Sequence, residues 1–378
     1  METPMTPPDL QAAWREARDW LFDEALPLWA DVGMDPAGGF HDQIGDDRRP
    51  IAAPKRLRVQ GRQMFVYAEA ARLGWSGPWR EVIRHGLAFF DAHAPKDGLY
   101  PSQFENGASR GCTLYDQAFV LLGLAHARRA LDEPAHEARA SAFLAGVRAR
   151  LGRPDGGFDE VDGGDAPLQS NPHMHLYEAC LAWRALSPAE PWTSTAATIR
   201  GLALGTFIDP ASGRLGEYFA DDGARAPGEA GRVAEPGHQY EWASLLMIDG
   251  GQDDAVAERL IRTATDSGVD RAREVAIFSQ DIETGAPIDA SARLWSQTER
   301  LRACLLLRGR TGEPDYWTEE ALKAYAALQK YLQTPGAGLW RDRMDLDGGL
   351  DGEPAKASSL YHVMGAYAVL KDAAEGRL

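Results

Sequence analysis

The chain has 378 residues, 44% of them hydrophobic, and carries 40 lysines and arginines against 56 aspartates and glutamates, a formal net charge of −16. That balance excludes nucleic acid and anionic membranes as natural partners, and the apolar share excludes a disordered chain. The three cysteines, Cys112, Cys180 and Cys304, are odd in number and widely spaced, which excludes a disulfide framework and points to reduced, buried thiols.

The start at 1–10 is proline-rich and acidic, with no basic-then-apolar leader, and no run is long enough to cross a bilayer. A cytoplasmic protein is expected. In chain order, helical spacing of apolar residues covers 10–29 (Trp14, Ala17, Trp20, Leu21, Leu28), then 58–73, 79–90, 114–130, 135–151 and 175–186. It continues over 194–207, 237–248, 255–264, 293–307, 315–332 and 358–370, twelve predicted helices in all. Between helices, a turn of glycine followed by an apolar or aromatic residue keeps returning. Its copies are Gly38-Gly39-Phe40-His41-Asp42, Asp97-Gly98-Leu99-Tyr100 and Gly156-Gly157-Phe158-Asp159-Glu160. Weaker copies stand at Gly213-Arg214-Leu215-Gly216-Glu217 and Gly338-Leu339-Trp340-Arg341-Asp342, with Ile277-Phe278-Ser279-Gln280-Asp281 between them lacking the glycine. The spacing is roughly 60 residues, room for a pair of helices per unit. Helix pairs closed into a ring predict an all-α (α/α)6 toroid, one catalytic domain over 1–378. An open α-solenoid is the other arrangement such a repeat allows.

Polar residues gather at the start of the second helix of each pair: Gln60 and Arg62; Tyr115, Asp116 and Gln117; Asn171, His173, His175 and Glu178; His238 and Glu241; Trp295, Gln297 and Glu299; Ser358, Ser359 and His362. In a toroid these second helices form the inner ring and their first turns converge on one mouth, which describes a pocket; helix capping is the plainer reading. The stretch Glu235-Pro236-Gly237-His238-Gln239-Tyr240-Glu241-Trp242 is the most informative. Pro236 and Gly237 break the chain before a helix, so His238 sits in a first turn with Glu241 three residues on. The helix dipole disfavours a charged imidazole there, whereas Glu241 favours charge and fixes a tautomer, which makes His238 a candidate general base. His175 and Glu178 repeat the spacing. Arg58 is an alternative to Arg62, one helical turn away. His41, His85, His93, His126 and His136 have no such neighbours.

Together the segments Val59-Gln60-Gly61-Arg62, Leu114-Tyr115-Asp116-Gln117-Ala118-Phe119, Asn171-Pro172-His173-Met174-His175-Leu176-Tyr177-Glu178-Ala179, Arg293-Leu294-Trp295-Ser296-Gln297-Thr298-Glu299 and Leu360-Tyr361-His362, with the 235–242 stretch, resemble the N-acylglucosamine 2-epimerase superfamily. That superfamily includes mannose isomerases and cellobiose 2-epimerases, and Trp242 resembles the mannose isomerase form. The resemblance implies the same (α/α)6 barrel and an acid–base pair of His238 and His362, with Glu241 beside them. It implies a sugar pocket drawn from Arg62, Tyr115, Asn171, His175, Trp295 and Glu241, with Glu178 and Glu299 as further carboxylates. The expected reaction is aldose–ketose isomerisation of the mannose/fructose type through a cis-enediol. In the provisional assignment His238 moves the carbon-bound proton and His362 assists ring opening, roles that could be exchanged.

Several alternatives compete with this reading. A 2-epimerase of N-acylglucosamine or of a disaccharide would use the same scaffold. A glycoside hydrolase needs two opposed carboxylates, for which Asp116, Glu178, Glu241 and Glu299 are available. A zinc-dependent mannose-6-phosphate isomerase lacks the usual ligand spacing here, although Lys55, Arg56, Arg58 and Arg62 keep a phosphosugar open. An interaction scaffold would leave the converging polar residues without a role. The expected partner is a small-molecule sugar, with no cofactor or metal, in a monomer or homodimer.

Overall fold

The structure is a computed structural model that describes residues 9–95, 98–105, 108–164 and 166–378; Asp97 of the second glycine turn and most of the 1–10 start lie outside them. Among the described residues there are twelve helices, at the places the periodicity predicts. Helix α1 is continuous but changes pitch, Leu10–Asp19 followed by a π-helical stretch Trp20–Ala25 and then Leu26–Asp31. Next come α2 (Leu57–Leu73), α3 (Trp79–Ala92), α4 (Leu114–Leu131), α5 (Ala135–Leu151) and α6 (Ser170–Leu186). Helix α7 (Trp192–Leu202) also ends in a π-helical stretch, Ala203–Phe207. The series ends with α8 (Pro236–Ile248), α9 (Asp254–Ser267), α10 (Leu294–Arg308), α11 (Pro314–Leu332) and α12 (Ala357–Ala374). No described helix is long and apolar enough to cross a membrane.

Even-numbered helices form the inner ring and odd-numbered ones the outer. Burial sorts them: α8 is buried at every residue from Pro236 to Met247, whereas α3 buries only the stripe Val82, Ile83, Gly86, Leu87, Phe89 and Phe90. Each inner helix packs on the next around the ring, and α12 returns to α2. Polar contacts join the two ends of the chain as well. Gln63 Nε2 donates to the Ala357 carbonyl at 3.0 Å, and the strand Gln43–Ile44 pairs antiparallel with Ala355–Lys356. The toroid is therefore closed, and the open solenoid does not apply. Stacked Trp29 and Trp340, 5.0 Å between ring centroids, help seal that joint. Each such fully buried large side chain is worth roughly 1.5–3 kcal/mol.

The glycine turns have a structural purpose: they hold the starts of the inner helices. The first amide of α2 donates to the Ser102 carbonyl, that of α4 to Glu160, that of α6 to Glu217, that of α10 to Asp342 and that of α12 to Asp42, all at 2.9–3.1 Å. Helix α8 begins on Pro236, which has no N–H to give. The fourth residue of five of the six inner helices then reaches back to a turn; in α12 that position is Leu360. Gln60 Oε1 accepts from the Phe40 amide (2.8 Å), Gln117 from Tyr100 (2.9 Å), Gln239 from Leu215 (3.1 Å) and Gln297 from Ala276 (2.8 Å). In α6 the ring nitrogen Nε2 of His173 does the same for Phe158 (3.0 Å). These glutamines and His173 are thus clamps that satisfy buried turn amides, so part of the polar signal at the helix starts is architectural. Ala276 precedes the stretch that lacks the glycine, and Gln297 treats it as it would a glycine turn.

Candidate active site

One register governs the inner ring. Counting from the first residue of each inner helix, the sixth positions are Arg62, Phe119, His175, Glu241, Glu299 and His362, one per helix. The second positions, one turn nearer the mouth, are Arg58, Tyr115, Asn171, Gly237, Trp295 and Ser358. Spacings of four place both sets on one helix face. Here that face borders a cavity of about 350 Å³, whose lining includes Arg62, Tyr115, Asn171, His175, His238, Glu241, Trp295 and His362. The structure thus brings together eight of the ten residues singled out from the sequence. Glu178 and Glu299, expected to meet the sugar, are not in that lining and stand behind the histidines instead. A larger cavity, about 910 Å³, lies among the 35–55 loop, the end of α3 and the paired strands Gln103–Glu105 and Ala108–Arg110. It holds none of these converging groups, and volume alone does not make it the site.

Carboxylates flank the three histidines; His362 and His175 are hydrogen-bonded to theirs, whereas His238 Nδ1 has charge contacts without hydrogen-bond alignment. His362 Nδ1 lies 2.8 Å from Glu299 Oε1, and His175 Nδ1 lies 3.4 Å from Glu178 Oε2, the partner the sequence spacing proposed. His238 departs from expectation. Its Nδ1 lies 3.0 Å from Glu217 Oε2 and 3.6 Å from Glu235, while Glu241 turns into the ring, 3.9 Å from His175. Glu241, not Glu217, was the expected orienting group. The reason is register: the third residue of α8 points sideways at the neighbouring glycine turn, and the sixth points at the barrel axis. Glu217 belongs to that turn, and no linear spacing links it to His238. Its place in the repeat, the position of Asp42, Glu160 and Asp342, was the available signal. Those residues also turn polar side chains on helix starts, as when Ser359 Oγ donates to Asp342 at 3.2 Å.

Their surroundings push the two catalytic candidates in opposite directions. Burial works against a charge on His238, but Glu217 and Glu235 outweigh it and raise its pKa to about 10. Burial, reinforced by the Arg62 charge, pushes His362 well below the usual imidazole value. His175 is lowered to about 4, again chiefly by burial. Burial and then the charges of Glu299 and Glu178 push Glu241 well above the usual carboxyl range, and neither of its oxygens has a protein partner. Asn171 Oδ1 and Arg62 Nε are likewise buried and unpaired. Arg62 is otherwise fixed, donating to Tyr115 Oη (2.7 Å) and to the Ser358 carbonyl (3.1 Å). Arg58 is committed to Asp116 at 2.8 Å, which leaves Arg62 as the arginine of this pair that lines the cavity.

Trp295 stands between the two catalytic candidates, its indole centroid 4.9 Å from His238 and 5.7 Å from His362. Gly237 makes this possible, since a Cβ there would sit 2.5 Å from the indole. Trp242 does not line the cavity; it stacks on Tyr177 in the wall at 5.6 Å. The unpaired donors and acceptors over an aromatic face suit a small polyhydroxylated ligand.

The sequence profile of N-acylglucosamine 2-epimerase (GlcNAc 2-epimerase) matches residues 38–366. The chain belongs to that family. It is 38% identical over 380 residues to the mannose-6-phosphate isomerase of Rhizobium meliloti (strain 1021), covering 96% of this chain and 98% of the relative. Its fold is shared with a D-mannose isomerase (TM-score 0.82, 19% identity, 98% of this chain and 100% of that one). It is shared also with the cellobiose 2-epimerase of Spirochaeta thermophila DSM 6192 (TM-score 0.85, 21% identity, 97% and 98%). The family member described here is a sugar isomerase or epimerase on an (α/α)6 toroid.

Proposed function

We propose that this member is an aldose–ketose isomerase that interconverts mannose and fructose. The observation that carries this reading is the unequal surroundings of the pair: His238 between Glu217 and Glu235, which favour its charged form, and His362 buried on Glu299 beside the Arg62 charge, which favours its neutral form. With Nδ1 donating to Glu299, His362 keeps a lone pair on Nε2 and serves as the base. It removes the proton from carbon-2 of the open-chain aldose and returns it to carbon-1 on the same face of the cis-enediol. His238, charged between Glu217 and Trp295, donates to O1 as negative charge develops there and accepts the O2 proton as the ketone forms. A proton held that firmly suits exchange with oxygen and not delivery to a carbon, so a single carbon base remains. Epimerisation needs two. This assignment reverses the provisional order, in which His238 moved the carbon-bound proton. Arg62, Asn171 and Glu241 would hold the hydroxyls, with Glu241 donating when it carries its proton, and Trp295 would carry the apolar face of the sugar.

A second reading, mannose 6-phosphate, is favoured by the name of the Rhizobium relative and by three cations. Arg56, Arg293 and Lys356, each the residue before an inner helix, stand on neighbouring helices around one side of the cavity. All three already pair with carboxylates: Arg56 with Asp42, and Arg293 and Lys356 with Asp342 at 2.6 and 3.4 Å. A phosphate would have to displace these partners, which supports the free sugar. Purified protein assayed with mannose, mannose 6-phosphate and N-acetylglucosamine in parallel tests the reading. Fructose is expected from mannose with the highest kcat/KM of the three. Product from the phosphate alone would move the assignment to the second reading, and N-acetylmannosamine without any ketose would refute both.

A further inference from the structure

Arg302 is absent from the substrate cavity, yet it stands at the centre of the ring. It lies on α10 three residues beyond Glu299, and its Nη1 donates to Glu299 Oε2 at 3.4 Å. Glu299 Oε1 in turn lies 2.8 Å from His362 Nδ1. The guanidinium is nearly buried, with its side chain 12% exposed and its Nε without a partner. A cation held by one long contact is a costly way to fill a core, and an apolar side chain of similar volume would do so at less cost. The surroundings supply a reason for its presence. Glu299 is faced by Arg302 from its own helix, by Glu241 from α8, and by His175 and Glu178 from α6. From α12 come His362 and Tyr361, the latter bonded to Glu178, and Arg62 of α2 stands near His362. Three carboxylates thus meet at the axis, and Arg302 is the cation paired with the one that holds the base.

Arg302 also borders a second cavity, about 340 Å³, at the opposite end of the inner ring. Its walls include Phe65, Leu122, Leu245 and Val369, from deeper turns of the inner helices. Gly365 of α12 also borders it, and a Cβ there would meet nothing within 4 Å.

We propose that Arg302 is a positioning residue for the isomerisation: it keeps Glu299 ionised, so that His362 is held with Nδ1 protonated and Nε2 free to act as base, and its own access runs through the far cavity and not through the sugar site. The proposal rests on the assignment of His362 as the base. Glu299 is pushed up to about 7 by burial, with Arg302 the chief opposing charge. Glu299 is thus ionised above about pH 7 in the wild type; removing Arg302 raises it further, so it stays protonated at mildly alkaline pH and no longer acts as a full acceptor for the imidazole.

The test uses Arg302→Ala, with Arg302→Lys as the variant that keeps the charge. Arg302→Ala should lose roughly ten- to a hundredfold in kcat on mannose, up to the lower end of what a positioned acid–base group contributes. KM should change little, and the acid limb of kcat should move to higher pH. Arg302→Lys should recover part of the loss. Millimolar guanidinium, entering the hole from the far cavity, should restore turnover to Arg302→Ala without competing with mannose. Nitrogen-15 spectra of histidine-labelled protein without substrate, with His362 assigned through a His362→Gln sample, should show a fixed Nδ1–H tautomer in the wild type and exchanging tautomers in Arg302→Ala. Unchanged kcat, unchanged acid limb or unchanged His362 nitrogen shifts in a folded Arg302→Ala protein would overturn the proposal, as would guanidinium rescue that competes with the sugar. The spectra require no activity, so they decide the inference even if mannose proves not to be the substrate.

Discussion

His362→Gln is expected to lower kcat on mannose by roughly 10²–10⁴-fold while the protein stays folded. The glutamine amide can still meet Glu299 and fill the space of the imidazole, which is 6% exposed at the barrel axis, so packing is preserved. What it cannot do is take a proton from carbon. Because one base serves both carbons in this account, the variant should lose isomerisation and also the exchange of the carbon-2 proton with solvent. Turnover measured beside the thermal midpoint separates the two effects. A folded His362→Gln protein with near wild-type kcat would remove His362 from the mechanism.

His238→Gln should lose a similar factor, for a different reason, and the pH profile shows which. The His238 proton is held by Glu217 and Glu235 with a pKa of about 10. Activity that needs the imidazolium should therefore persist through neutral and mildly alkaline pH and fall as pH rises through about 10. Glu217→Gln removes the nearest negative charge and should move that alkaline limb downward while leaving the acid limb, which belongs to the His362 side, in place. The same ion pair contributes to stability. With a folded value above the ordinary 6.5, its contribution is complete below that pH and is lost as pH rises through about 10. Thermal midpoints of wild type and Glu217→Gln should therefore differ most just below pH 6.5, draw together as pH rises above it and converge beyond about pH 10. An alkaline limb at the same pH in both proteins would show that Glu217 does not control the His238 charge.

Helix positions were legible in the sequence because each inner helix is apolar nearly all round and each outer helix carries a stripe. The glycine turns gave the period for a definite physical reason, since each must present a carbonyl to a helix start. Gln60, Gln117 and Gln297, counted among the polar residues converging on the mouth, misled, because a clamp on a buried turn and a pocket group call for the same residue type. Linear spacing found His175 with Glu178, which share a helix. It gave Glu241 to His238, whose partner Glu217 comes from a loop some twenty residues away. The division of roles proposed for the two histidines lay beyond spacing altogether, since it depends on which carboxylates and which arginine surround each ring in space.

The most direct test of the account is the fate of the hydrogen on carbon-2. Mannose incubated with the enzyme in heavy water and followed by proton NMR should yield fructose carrying a single deuterium on one face of carbon-1 in the solvent-exchanged fraction, with little glucose early in the reaction. Glucose labelled at carbon-2 before any fructose forms would mean protonation from the opposite face of the enediol, and would contradict an isomerase with one carbon base.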